Sequence, residues 1–110
     1  MTLTTSAATD HLFSEAHTAY DFADTPLTDE HLQAIYETVK WAPTAMNSQP
    51  LRIAFARSAD AKLDLERHVE PGNVAKVRSA PVTAMLTYDA DWHEHLPALM
   101  PFATDPHLAW

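Results

Sequence analysis

Lys40-Trp41-Ala42-Pro43-Thr44-Ala45-Met46-Asn47-Ser48-Gln49-Pro50, continued by Leu51-Arg52-Ile53-Ala54-Phe55-Ala56-Arg57, is the stretch whose reading decides the fold. Pro43 has no N–H and pushes Ala42 away from helical torsions, so a helix arriving from the N-terminal side should stop there. Pro50 turns Gln49 towards extended torsions. Leu51, Ile53 and Phe55 then alternate with Arg52, Ala54 and Arg57 in the manner of a strand with one apolar face. Between the prolines, Thr44, Asn47, Ser48 and Gln49 supply two hydroxyls and two carboxamides. Neutral donors and acceptors in a short loop suit a polar heterocycle or a sugar better than a phosphate or a metal.

Upstream, Leu27 to Ala42 reads as a helix. Thr28 is an N-cap, Asp29 and Glu30 suit the positive first turn, and Leu27 can staple onto Leu32. Leu32, Ile35, Tyr36 and Val39 recur at helical spacing, predicting one buried stripe with Trp41 beside it, as core or as a cover for a ligand or partner. Nearer the N-terminus, Asp10 predicts a capped helix to about Ala19, with Leu12, Phe13 and Ala16 on one side. Residues 1–9 have little to bury and are expected to be mobile.

Downstream of the strand, Ser58 can cap a helix carrying Ala61, Leu65 and Val69 that ends before Pro71, and Gly72 is expected to supply a tight turn. Asn73 to Ser79 predicts one or two further helical turns. Ala80 to Tyr88 is largely apolar, as in a strand buried on both faces. The two strands predict a βαβ-like unit or neighbours in one mixed sheet. Asp91 with Glu94 looks like a capping box opening a short helix that breaks near Pro97. The fold class is therefore α+β, one domain over residues 10–110, with helices packed on a mixed β-sheet.

Composition removes several functions. The single glycine, Gly72, excludes a Walker loop and a dinucleotide fingerprint, which need several. The absence of cysteine excludes disulfides, thiolate metal sites and thiol nucleophiles. Seven Lys and Arg against fifteen Asp and Glu give a net charge of -8, which opposes nucleic-acid binding. No basic start precedes an apolar run and no apolar stretch nears the roughly 20 residues of a membrane span. A soluble, cytoplasmic protein is the expectation. Asp89, Asp91, His93, His95 and His107 are potential metal ligands, but a His-x-His pair diverges on a helix, and no metal site is assigned.

The pattern Pro43-Thr44-x-x-Asn47-x-Gln49-Pro50 at a helix end, before an apolar strand, resembles the flavin-binding loop of the nitroreductase family. Gly72-Asn73-Val74-Ala75-Lys76, Ala80-Pro81-Val82-Thr83 and Asp91-Trp92-His93-Glu94-His95-Leu96-Pro97 extend the resemblance to nearly the whole chain. They are similar to the branch with malonic semialdehyde reductases and NAD(P)H nitroreductases. The resemblance implies an FMN-dependent NAD(P)H oxidoreductase, or its N-terminal half, with NADH or NADPH as donor and a small aldehyde, nitro or quinone-like acceptor. It implies no catalytic side chain, because the redox chemistry belongs to the flavin. Thr44 and Asn47 would hydrogen-bond the flavin, with Gln49 beside them and Pro43 and Ala45 setting the loop path.

His17 and Thr18 stand where the family carries an arginine and a hydroxyl residue for the flavin phosphate and ribityl chain. No arginine occurs in Ala16-His17-Thr18-Ala19-Tyr20-Asp21-Phe22. Charge-assisted hydrogen bonds to phosphate are worth roughly 1.5 to 3 kcal/mol each, so a mostly neutral histidine there implies flavin binding weaker by about tenfold to a hundredfold. Family members are also longer, so the chain is expected to be an incomplete, N-terminal half that works as a homodimer or with a complementing chain. The alternative is a non-catalytic, flavin-free interaction or dimerisation module derived from the same family.

Overall fold

The computed structural model describes residues 7–102. A short helix, α1 (Ala7–Thr9), passes into a π-wound turn, Asp10–Ser14, and the long α2 (Asp29–Val39) follows. After a single 3-10 turn at Ala45–Asn47 come strand β1 (Leu51–Ala56), α3 (Ala59–Glu66), α4 (Val74–Ser79) and strand β2 (Thr83–Tyr88). A 3-10 turn, Trp92–His95, leads into the one-turn helix α5 (Leu96–Leu99). The class is α+β, as the sequence pattern predicts.

Among the described residues the sheet has two strands, β1 and β2, and they are antiparallel, with Leu51 opposite Tyr88 and Ala56 opposite Thr83. Of the two arrangements open from sequence, neighbouring strands hold and a parallel βαβ crossover does not. The connection contains two helices, not one. α3 leads the chain away from β1 and α4 brings it back to the end it left, as an antiparallel neighbour requires. Glu66 and Arg78 fasten the two helices: Arg78 Nε donates to Oε1 at 2.9 Å and Nη2 to Oε2 at 2.8 Å, a two-pronged pair. Their strong hydrogen bonding holds the Glu66 carboxyl below its ordinary range.

Local capping chemistry behaves as expected at Thr28 and Ser58, whereas the capping box expected at Asp91 and Glu94 does not form, since Asp91 makes no side-chain cap bond. Thr28 opens α2: its hydroxyl accepts from the His31 N–H, and the His31 ring accepts from the Thr28 N–H. Histidine therefore plays the part usually taken by glutamate in a capping box. Ser58 opens α3 by accepting from the Ala61 N–H at 3.1 Å. α2 ends at Val39, three residues before the last residue that Pro43 would allow, with Lys40 as its C-cap.

Burial departs from the sequence pattern. The buried apolar residues are Leu32, Val77, Ala80 and Leu96. Of the α2 stripe only Leu32 is covered, while Ile35, Tyr36 and Val39 stay exposed. β2 is not buried on both faces: Met85, Leu86 and Tyr88 are exposed. The reason is the same in both cases, since a two-stranded sheet with short helices does not offer enough surface to cover two apolar faces. α2 lies across an open groove from Leu51, Ile53 and Phe55 of β1, and α3 faces Ala54, Ala56 and Met85 across another.

Three smaller expectations are also corrected. Asp10 is not an N-cap but lies inside the π-wound turn, where it accepts from the Ser14 hydroxyl; the helical segment ends at Ser14, and Leu12 and Phe13 are exposed. Without burial, propensity alone sustains only a short helix. α3 ends at Glu66, short of Val69. Gly72 does sit in a tight turn, the 3-10 turn Pro71–Asn73, although without positive φ. Pro97 does not break a helix but occupies the first turn of α5, where a missing N–H costs nothing. Residues 7–9 of the segment expected to be mobile are helical; the rest of that segment, and His107, lie outside the described residues.

Candidate functional site

The loop between Pro43 and Pro50 is closed by its own polar groups and braced by others outside it. The Asn47 N–H donates to the Thr44 carbonyl, the Ser48 N–H to Ala45, and the Gln49 N–H to the Thr44 hydroxyl at 3.1 Å. Ser48 is buried. Three residues without glycine's freedom, Met46, Asn47 and Gln49, take positive φ of 54°, 53° and 47°, so Gln49 does not adopt the extended torsions expected before Pro50. Asparagine tolerates this region, whereas methionine and glutamine are strained in it, by about 1 kcal/mol or more each. Strain of this kind persists where surrounding contacts fix the chain.

Those contacts come from two sides. Asn47 Nδ2 donates to the Leu99 carbonyl of α5 at 3.0 Å, and Gln49 Nε2 donates to Asn47 Oδ1 at 2.6 Å. On the strand side, Arg52 Nη1 donates to the carbonyls of Gln49 and Leu51 at 2.8 and 2.9 Å. Its Nη2 reaches Asp89 Oδ2 at 3.2 Å, and the same oxygen meets His95 Nε2 at 2.9 Å. Asp89 further accepts from the Asp91 N–H at 2.9 Å and donates its own N–H to Pro50. The Asp91 N–H, then His95 and Arg52, hold the Asp89 carboxyl below the usual carboxylate range.

Between this loop, the end of α2 and α5 lies an open groove of about 640 Å3. Thr44 and Gln49 line it with Trp41, Tyr36, Leu51 and Leu99, and Lys40, Arg52 and His95 stand at its polar parts. Trp41 is not core: it is 79% exposed, with the Lys40 ammonium 5.3 Å from its ring centre. The groove has the size and the mixture of aromatic walls and sparse polar groups that suit a flat heterocycle. Gln49's side-chain oxygen and the Thr44 hydroxyl hydrogen remain for such a ligand after the loop's own bonds are made.

The structure thus brings Thr44 and Gln49 to one groove, while Pro43, Ala45 and Asn47 shape the loop behind it. It does not bring His17 and Thr18 there: both are exposed, neither lines this groove, and the His17 ring lies 3.0 Å from the Glu15 carbonyl. The groove residues therefore fit a flavin ring, and His17 and Thr18 supply no visible cradle for its phosphate. Asp89 and His95, grouped in sequence with potential metal ligands, are engaged with each other and with Arg52. Asp91, His93 and Glu94 bring ligand atoms within 4.8 Å of one another at the surface, and no further feature marks them as a site. Arg52 was not legible as a site residue, because only the strand register sets it beside Asp89, 37 positions along the chain.

The sequence profile of the nitroreductase family matches residues 14–96, and the chain belongs to that family. Within it, the chain is 50% identical over 95 residues to a Streptomyces griseus protein named "Putative NADH dehydrogenase/NAD(P)H nitroreductase", covering 86% of this chain and 48% of the relative. Relatives of the same name from Xanthomonas oryzae and Rhodopseudomonas palustris are 49% identical over 98 residues and 47% over 92. They cover 89% and 84% of this chain, and 50% and 47% of their own lengths. The chain therefore spans about half the length of these curated relatives. No helix among the described residues is long and apolar enough to cross a membrane.

Proposed function

We propose that this chain contributes the ring-binding loop of an FMN-dependent NAD(P)H oxidoreductase. The observation that carries the reading is the Thr44–Gln49 loop, set in strained left-handed torsions beside a groove of ligand size, in a chain of the nitroreductase family. The Thr44 hydroxyl and the Gln49 carboxamide present hydrogen-bonding groups to the edge of the heterocycle. Asn47 braces the loop against Leu99 from behind the groove. Trp41 and Leu51 supply apolar walls and Pro43 and Ala45 fix the approach of the backbone.

The chemistry that a bound FMN supplies is hydride transfer from NADH or NADPH to a small aldehyde, nitro or quinone-like acceptor. This chain's residues bind and orient the ring and keep water from one side of it. The phosphate is met outside the groove, by His17 and Thr18 or by residues of a second copy. Exposed Ile35, Tyr36, Leu86 and Tyr88 support a homodimer or a complementing chain as the complete site, since apolar surface of this kind favours association. Malonic semialdehyde, which the sequence resemblance implies, is one acceptor of the proposed class.

Titration of the purified chain into FMN, followed by flavin fluorescence, tests the reading. Saturable quenching, weakened several-fold by Thr44→Ala and by Gln49→Ala, is the expected result. Fluorescence unchanged up to about 1 mM protein sites, the range of barely specific binding, overturns it.

A further inference from the structure

We propose that Arg52 and Asp89 are positioning residues that hold the Thr44–Gln49 loop in its left-handed form and tie it to the segment carrying α5. The loop has no glycine, yet three of its residues take positive φ, so something outside it must offset the torsional cost. Its own hydrogen bonds close the turn but end at Gln49. The Gln49 carbonyl is then taken by Arg52 Nη1 at 2.8 Å, while Nη2 of the same guanidinium reaches Asp89 at 3.2 Å. A planar fork can grip two acceptors at a fixed separation, which a lysine ammonium cannot do with the same geometry.

Asp89 is the hub on the other side. Its backbone N–H meets Pro50, next to Gln49, and its carboxylate takes Arg52, the Asp91 N–H and His95. His95 immediately precedes fully buried Leu96, the first residue of α5, and the Leu99 carbonyl of α5 receives the Asn47 carboxamide. The loop is thus fastened at both ends to one buried anchor. Without the Arg52–Asp89 link, Gln49 is free to leave the left-handed region and the groove loses one wall. The effect on a ligand rests on the flavin-loop reading above; the effect on the loop does not.

Amide hydrogen exchange of the full 110-residue chain separates the two. The Ser48 and Gln49 N–H groups, bonded to Ala45 and Thr44, report the loop, and the β1 and β2 amides report the fold. Arg52→Ala and Asp89→Ala are expected to speed exchange at Ser48 and Gln49 by about tenfold with strand amides within about twofold. Arg52→Lys, which keeps the charge and loses the fork, should give an intermediate rate, and its FMN dissociation constant should rise about fivefold. Unchanged Ser48 and Gln49 exchange, or a rise shared equally with the strands, overturns the proposal. If the alanine variants unfold, Arg52→Lys and Asp89→Asn decide it by the same comparison. A wild-type chain that binds no FMN overturns the flavin reading alone, because the exchange rates still judge the latch.

Discussion

α2 and α5 are opposites. α2 has eleven residues, a capped start, an acidic first turn and an apolar stripe, yet it buries one leucine, Leu32. α5 has four residues, no side-chain cap and a proline in its first turn, yet Leu96 is the most completely buried side chain of the described residues. The difference separates two causes of structure. α2 exists because local chemistry makes it a helix, whereas α5 exists because tertiary contact holds it against the Thr44–Gln49 loop.

That contrast can be broken by experiment. Leu96→Ala should cost the most, about 3 kcal/mol in urea unfolding, because it empties a closed site that short neighbours cannot collapse into. A cost under about 1 kcal/mol would show that α5 is not an anchor. Thr28→Ala should cost about 1 kcal/mol, the usual loss of an N-cap hydroxyl, and calorimetry of the variant checks it. Ile35→Ala, half-exposed on the α2 stripe, should change stability by no more than about 0.5 kcal/mol in the chain alone. A loss of about 2 kcal/mol, growing with protein concentration, would instead show that a second copy covers the stripe.

The last test is a pH effect at the α5 side. Asp89 has a depressed folded-state value, so the stability it contributes is fully present above its ordinary value near 4 and is lost as pH falls through the folded-state value. Acid unfolding should therefore be less steep in Asp89→Asn below pH 4, while the pH 7 to 8 range changes little in slope. An identical acid limb in the variant would remove Asp89 from the account of that region.

Much of the fold was legible where short-range chemistry decides it. Thr28 and Ser58 cap the helices assigned to them, both strands fall within one to three residues of their expected bounds, and the polar loop lies between its two prolines. Burial was less legible. The Val82–Leu86 run looks like a strand covered on both sides, but its sheet has one partner strand among the described residues and Leu86 remains exposed. Thr44 and Gln49, which line the groove, were readable as candidates because their chemistry sits in one continuous loop. The Arg52–Asp89 pair was not, since its meeting depends on register, and Asp89 and His95, six positions apart, read only as potential metal ligands.

By itself the sequence determined where helices start, where prolines interrupt them, that no glycine-rich phosphate loop or thiol chemistry is available, and which loop resembles a flavin contact. Those properties depend on residues within a few positions of one another, so the chain carries them in any fold. Only the tertiary structure decided that the strands run antiparallel, that Asn47 reaches α5, and that Arg52 grips Gln49 and Asp89 together. These depend on bringing together residues 27 to 52 positions apart, and no local pattern encodes which of many such meetings lowers the free energy most.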